Sequence, residues 1–351
     1  MYAKLVVGPS VISSVKAMRD IGRLITSANP TTALLSAFSS TSSIIVDPTP
    51  AGWSYVGSVN ANDRPTIAAV GSATDTTGTF GYTAESDYNL AFSAPCLNQP
   101  SRLKYAVLSI VWRGTTAASQ YTFALTAAQT VTDQGVRTNE GPRPITSDTA
   151  NNGVVETNAL AITTVANRII HLIATPRHIT IIEEGRGLCA VWEATNTDVH
   201  DFLNRPPVIQ YSHAISTTTR FPIIVPTSYT VTQTGGWMAV AINITNPNTA
   251  VTYGTYDITE GSTANLGILA QASATYRNNS IDAAGNPRYQ VGPVYFQIGE
   301  QGYPVQFVTG VVPIYWTRPG IGTTGDEIDI NGDTYMFFNC GTTIGVAMKT
   351  T

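Results

Sequence analysis

The sequence predicts a mainly β protein, built as antiparallel β-sandwich or jelly-roll-like domains with one short α-helix near the N-terminus. Three observations carry that expectation. Only one segment repeats its apolar residues at helical spacing. From about residue 44 onward, short runs rich in Val, Ile, Thr, Tyr and Phe are separated by clusters of Gly, Pro, Asn and Asp. Near the C-terminus an Asn-Gly pair, Asn331-Gly332, lies between two such runs.

Taken in chain order, Met1 to Gly8 lacks the long apolar stretch and small-residue cleavage site of a signal peptide, so an uncleaved, soluble chain is expected. Pro9 and Ser10 then supply a helix start, Val11, Val15, Met18, Ile21, Leu24 and Ile25 form an apolar stripe, and Asn29-Pro30 supplies the stop. Such a stripe must be buried, on the chain's own core in the simpler case or on a neighbour. The clearest strand-like runs follow at residues 105–112, 169–174, 179–182, 208–211, 237–244, 305–316 and 335–338. Several alternate with period two, as a sheet with one covered face requires. Residues 327–338 form the sharpest local pattern, because Asn and Gly tolerate the positive φ of a two-residue hairpin loop. Thr-, Asn- and Gly-rich stretches at 71–81, 134–153 and 253–286 are the candidate long loops or joints. The resulting division is a helical docking segment, 1–43, a β-domain, 44–215, and a C-terminal β-domain, 216–351. No fixed-period repeat points to a solenoid or propeller.

Composition narrows the function classes. Charged residues make up 12% of the 351 residues, about half the usual share for a soluble domain. A polar surface with so little charge suits a protein much of whose surface meets neighbouring subunits. The net charge of −4 and the lack of any Lys/Arg run leave no electrostatic footprint for nucleic acid. No segment reaches the ~18 apolar residues of a membrane span. Cys96, Cys189 and Cys340 are odd in number and far apart, which gives no disulfide framework or CxxC motif and fits small buried hydrophobes. The sequons at Asn243 and Asn278 are expected by chance in Thr-rich sequence.

The motifs with chemical content each fail a contextual test. Gly320, Gly322 and Gly325 spell GxGxxG, but Pro319 precedes them and a hairpin, not a helix, is expected after them. Asp326, Glu327, Asp329, Asn331 and Asp333 offer oxygen ligands to a hard cation. Counted from Asp329, however, an EF-hand's glycine position holds Thr334 and its bidentate Glu position holds Cys340. His171, His178, His200 and His213 form neither HxH nor HxxxH. His200-Asp201 and Ser212 have hydrolase residue types but no nucleophile elbow. Glu183 and Glu184 are adjacent and would point to opposite faces of a strand, so without a bulge they cannot share a substrate, which leaves a carboxylate pair open only to residues distant in sequence. Trp53, Trp112, Trp192, Trp237 and Trp316 are dispersed among strands, which fits core packing better than a carbohydrate platform. No catalytic, cofactor-binding or metal-binding residue is therefore assigned, no cofactor is expected, and the expectation is a protein that is not an enzyme.

One resemblance adds to this reading. The run from Thr175-Pro176-Arg177-His178 through Ile182, then Cys189-Ala190-Val191-Trp192-Glu193, resembles the middle of virion structural proteins of tailed bacteriophages, marine myoviruses especially. The terminal run from Gly325 to Tyr335, with Phe338-Asn339 and Met348-Lys349, is similar to the terminal hairpin of the same proteins, and the N-terminal helix followed by Gly52-Trp53 fits as well. Residues 199–213, with Arg205-Pro206-Pro207, depart from the pattern. The resemblance implies a late-gene, homo-oligomeric component of the virion, in the tail, baseplate or fibre attachment, whose partners are other copies of itself and neighbouring virion proteins. It implies no catalytic residues. The alternatives are a head decoration or collar protein, and a tail receptor module that binds a host surface glycan; a secreted adhesin is disfavoured by the missing signal peptide.

Overall fold

The computed structural model describes residues 1–7, 11–35, 44–57, 88–95, 104–113, 120–128, 130–132, 137–138, 161–162, 168–184, 187–193, 195–196, 207–213, 220–226, 237–243, 254–257, 265–267, 292–293, 296–299, 306–309, 314–317, 323–330, 332–339 and 345–349. The chain opens on a strand, β1 (Tyr2–Val7), followed by helices α1 (Val11–Thr26) and α2 (Pro30–Leu35). Strands β2 (Ile44–Asp47), β3 (Ser54–Gly57), β4 (Tyr88–Ser93), β5 (Tyr105–Arg113), β6 (Gln120–Ala128), β7 (Thr130–Val131), β8 (Arg137–Thr138) and β9 (Ala161–Ile162) come next. A run of longer strands follows: β10 (Arg168–Thr175), β11 (His178–Glu183), β12 (Gly187–Glu193), β13 (Thr195–Asn196), β14 (Pro207–His213), β15 (Arg220–Pro226), β16 (Trp237–Asn243) and β17 (Gly254–Asp257). The rest are β18 (Asn265–Gly267), β19 (Gly292–Pro293), β20 (Phe296–Gly299), β21 (Gln306–Thr309), β22 (Ile314–Thr317), β23 (Glu327–Ile330), β24 (Asp333–Asn339) and β25 (Gly345–Lys349). The protein is mainly β and antiparallel, as its sequence predicts.

The principal sheet has nine strands in the order β17-β16-β15-β14-β12-β11-β10-β1-β2. It takes β1 from residues 1–43, β2, β10, β11, β12 and β14 from 44–215, and β15 to β17 from 216–351. A second sheet runs β3-β4-β5-β6-β9 and a third runs β19-β22-β25-β24-β23. The strands β13-β21-β20-β18 and the pair β7-β8 complete the topology.

The core lies between the principal sheet, the second sheet and α1. Alternate residues Ala3, Leu5 and Val7 of β1, Ile170 and Leu172 of β10, Ile179 and Ile181 of β11 and Val191 of β12 share one buried cluster with Leu90 and Phe92 of β4, Leu108 of β5 and Leu125 of β6. The helix adds Met18, Ile21, Leu24 and Ile25 to the same cluster, all fully buried, so its apolar stripe packs on the chain's own core. Each such side chain contributes about 1.5–3 kcal/mol of transfer free energy. Trp53 fastens the helix to the sheet: its N–H donates to Ile25 O at 3.2 Å, and its Nε1–H donates to Thr175 O at 2.8 Å. Gly52 makes that approach at φ 78°, where an added Cβ would also sit 3.3 Å from Pro95 Cβ.

β11 is buried at all six positions, a pattern found only where both faces of a sheet are covered. On the face away from the main core, Phe338 of β24 packs against Tyr2 and His171, with ring centroids 6.2 Å and 4.8 Å away.

Three details differ from the sequence reading. Asn29-Pro30 ends α1 but also opens a second helix, since proline is well placed at a first helical position and Asn29 O accepts from Thr32 N–H at 3.2 Å. β1 precedes the helix, in a segment read as helical. The run 305–316 is divided between β21 and β22, which belong to different sheets; Gly310 weakens a strand there and Pro313 removes a ladder donor. The hairpin is where Asn-Gly puts it, with Ile330 paired to Asp333 and Gly332 at φ 88°. Of the candidate loops, 71–81 lies outside the described residues, 134–153 contains β8, and 253–286 contains β17 and β18.

Candidate functional site

The register of β1 against β10 places Lys4 opposite His171 and Tyr2 opposite Ile173, on the face that meets β24. There a polar chain forms across three elements. Tyr2 Oη lies 2.9 Å from His171 Nδ1, and His171 Nε2 lies 2.7 Å from Glu184 Oε1. Lys4 Nζ approaches the same carboxylate oxygen at 3.9 Å, and Met336 Sδ sits 3.2 Å from the Tyr2 hydroxyl. Burial lowers the His171 pKa; Glu184 opposes this and Lys4 reinforces it. A neutral imidazole that gives its Nε2–H to Glu184 takes the Tyr2 proton at Nδ1, which assigns the tautomer. Burial, with the Glu184 charge, pushes the Tyr2 pKa up to about 12. The phenol therefore keeps its proton and donates. Such a Tyr2–His171–Glu184 chain joins β1, β10 and the end of β11 to the C-terminal sheet, but it does not furnish a nucleophile.

Glu183 points the other way, as adjacency in a strand requires, and pairs with Arg168 at 3.8 Å in the interior. The Met1 ammonium donates to Ala174 O at 2.9 Å and lies 3.2 Å from Asp47 Oδ2. Burial alone would raise the Asp47 pKa; hydrogen bonds from Thr49 and the ammonium outweigh it and hold the carboxyl below its usual value.

At the end of the principal sheet, beyond β1, lies β2. One side of its backbone is unpaired within that sheet. Ile44 is 57% exposed and Val46 51%, and among the described residues they are the exposed large hydrophobics. Native edge strands are ordinarily blunted by charge, proline or a covering segment. Here two β-branched side chains stand in water on an open edge, with Pro48 and Pro50 beyond the strand's end.

The residues singled out in the sequence fall as follows. Gly325 occupies a turn at φ 101° and strand β23 begins two residues later, so no helix follows the GxGxxG letters. Each carboxylate of the acidic cluster with described contacts has its own partner: Asp326 accepts from Thr323 N–H at 2.7 Å, Asp329 from Thr334 Oγ1 at 3.1 Å, and Asp333 from Lys349 Nζ at 2.7 Å. Among the described residues, no three His, Cys, Asp or Glu side chains gather as a metal site. Cys189, Trp53 and Trp192 are buried, and His171 and His178 lie inside the principal sheet. Burial pushes the Cys189 thiol pKa up, which leaves it an unreactive core residue. His213 and Ser212 end β14, while His200, Asp201, Cys96 and Cys340 lie outside the described residues.

Sequence reasoning missed Tyr2, Lys4, Ile44 and Val46. The β-rich run Tyr2–Val7, closed by Gly8-Pro9, was the signal that could have found the first two. No protein-family model matches the chain, and no curated protein matches it either.

Proposed function

We propose that this chain is a non-enzymatic structural subunit of a tailed-phage virion, placed in the tail, baseplate or fibre attachment and acting through contacts with its own copies and neighbouring virion proteins. The observation that carries the reading is the open β2 edge with exposed Ile44 and Val46, in a chain whose charged residues are 12% of the total. An unpaired strand edge is a template for another chain, and apolar side chains beside it add area to the contact. The resemblance around Thr175–Ile182 and the terminal hairpin supplies the virion context. Burial of Trp53 and Trp192 removes two of the five tryptophans from any glycan-binding platform, which weighs against the receptor reading.

Immunogold electron microscopy of purified particles, with an antibody to this protein, tests the reading. Label on the tail or its tip supports it; label on the head moves the protein to a decoration or collar role; particles without label overturn a virion role. The contact itself is tested by Ile44→Lys combined with Val46→Lys. The double variant will self-associate at least ~10-fold more weakly in sedimentation, about 1.4 kcal/mol. Unchanged association would remove β2 from the interface.

A further inference from the structure

Three buried polar atoms on one face of the principal sheet have no hydrogen-bond partner among the described residues: His178 Nε2, Thr180 Oγ1 and Trp192 Nε1. They belong to side chains 1%, 0% and 4% exposed. The register makes them neighbours, because His178 stands opposite Trp192 and Thr180 opposite Ala190. Two residues apart on β11, His178 and Thr180 share a face, and cross-strand and diagonal positions at this spacing are within reach of one another's side chains. Ala190, with only a methyl group, is the smallest side chain in the row Leu188, Ala190, Trp192.

The chemistry of the three atoms is complementary. His178 is held neutral by burial, with the nearby Met1 ammonium acting in the same direction. The Thr175 hydroxyl accepts from Arg177 N–H at 3.3 Å and lies 3.2 Å from His178 Nδ1. With the Thr175 proton given to Nδ1, the neutral ring carries its own proton on Nε2. The group thus presents two N–H donors, from His178 and Trp192, and one hydroxyl that accepts.

We propose that a resident water molecule sits among these three groups, accepts hydrogen bonds from His178 Nε2–H and Trp192 Nε1–H and donates one to Thr180 Oγ1. Three hydrogen bonds to otherwise unsatisfied buried groups is the usual complement of an internal water. An anion fits worse: none of the three side chains is charged, and the Met1 ammonium is already matched by Asp47. An apolar occupant would leave all three groups unsatisfied.

Thr180→Val tests this in the full chain, because valine keeps the shape and removes the hydroxyl. With water in place, the variant strips the water of an acceptor and the thermal midpoint falls, by on the order of 2 °C. In a dry site the same change deletes an orphaned hydroxyl and the midpoint rises, which overturns the proposal. A high-resolution crystal structure gives the second reading, independent of stability. One water-sized peak within hydrogen-bond distance of His178 Nε2, Trp192 Nε1 and Thr180 Oγ1 is expected, retained in Thr180→Ser. An empty space, or density larger than a water, overturns it.

Discussion

Glu183→Gln will destabilise the protein by about 3–5 kcal/mol, the cost of removing one partner from a buried ion pair. The Arg168 and Glu183 side chains are 2% and 1% exposed, and their nearest charged atoms are 3.8 Å apart. Arginine cannot shed its proton at any accessible pH, so the variant leaves a guanidinium charge in the interior without the Glu183 carboxylate beside it. Glutamine preserves the shape and most of the hydrogen-bonding capacity of Glu183, so the loss reports charge rather than packing. The double replacement Arg168→Met with Glu183→Leu removes both charges and fills their volume with apolar groups. It should recover most of the loss, since buried pairs exchanged for hydrophobic residues are often neutral or better. Urea unfolding of Arg168→Met, of Glu183→Leu and of the double variant closes the cycle, and a coupling free energy below about 0.5 kcal/mol would show that the pair does not act as a unit.

The pair also shows where sequence reading stops. Glu183 and Glu184 could be placed on opposite faces from adjacency alone, but nothing in the sequence names Arg168 for one and His171 for the other. Those partners come from the β10–β11 register, which sets Ile170 opposite Glu183 and His171 opposite Ile182. Local features were legible because they depend on neighbours in the chain: the α1 stripe and the Asn331-Gly332 hairpin. The Tyr2–His171 hydrogen bond joins residues 169 apart, and no short-range pattern encodes it. β11 carries His178, Thr180 and Glu183 and is nonetheless buried at every position, whereas β2 reads Ile-Ile-Val and is half in water. Composition alone does not distinguish a central strand from an edge. That difference is decided by what the rest of the chain stacks beside each, and on it rests the choice between core and interface.

His178 should make the fold acid-sensitive well above the range in which carboxylates titrate. Its pKa is lowered by burial from 6.5 to about 3, so below pH 6.5 the unfolded chain takes up a proton that the folded chain refuses. The stability this histidine contributes is fully present above pH 6.5 and is lost as pH falls toward 3. His171, lowered in the same direction, adds to the loss below pH 6.5. Asp47 acts later: with its carboxyl held below its usual value of 3.8, its stabilisation is lost only as pH falls below that value. Between pH 6 and 4.5 the slope therefore belongs to the histidines, at about 1.4 kcal/mol per pH unit for each proton refused. Urea midpoints across that interval will fall steeply in the wild type. In His178→Asn the slope will be shallower by one proton's worth, although the variant is less stable at pH 7. Equal slopes in the two proteins would mean that His178 is protonated in the fold, and the Nε2–H of a neutral ring would no longer be the donor that its buried surroundings call for.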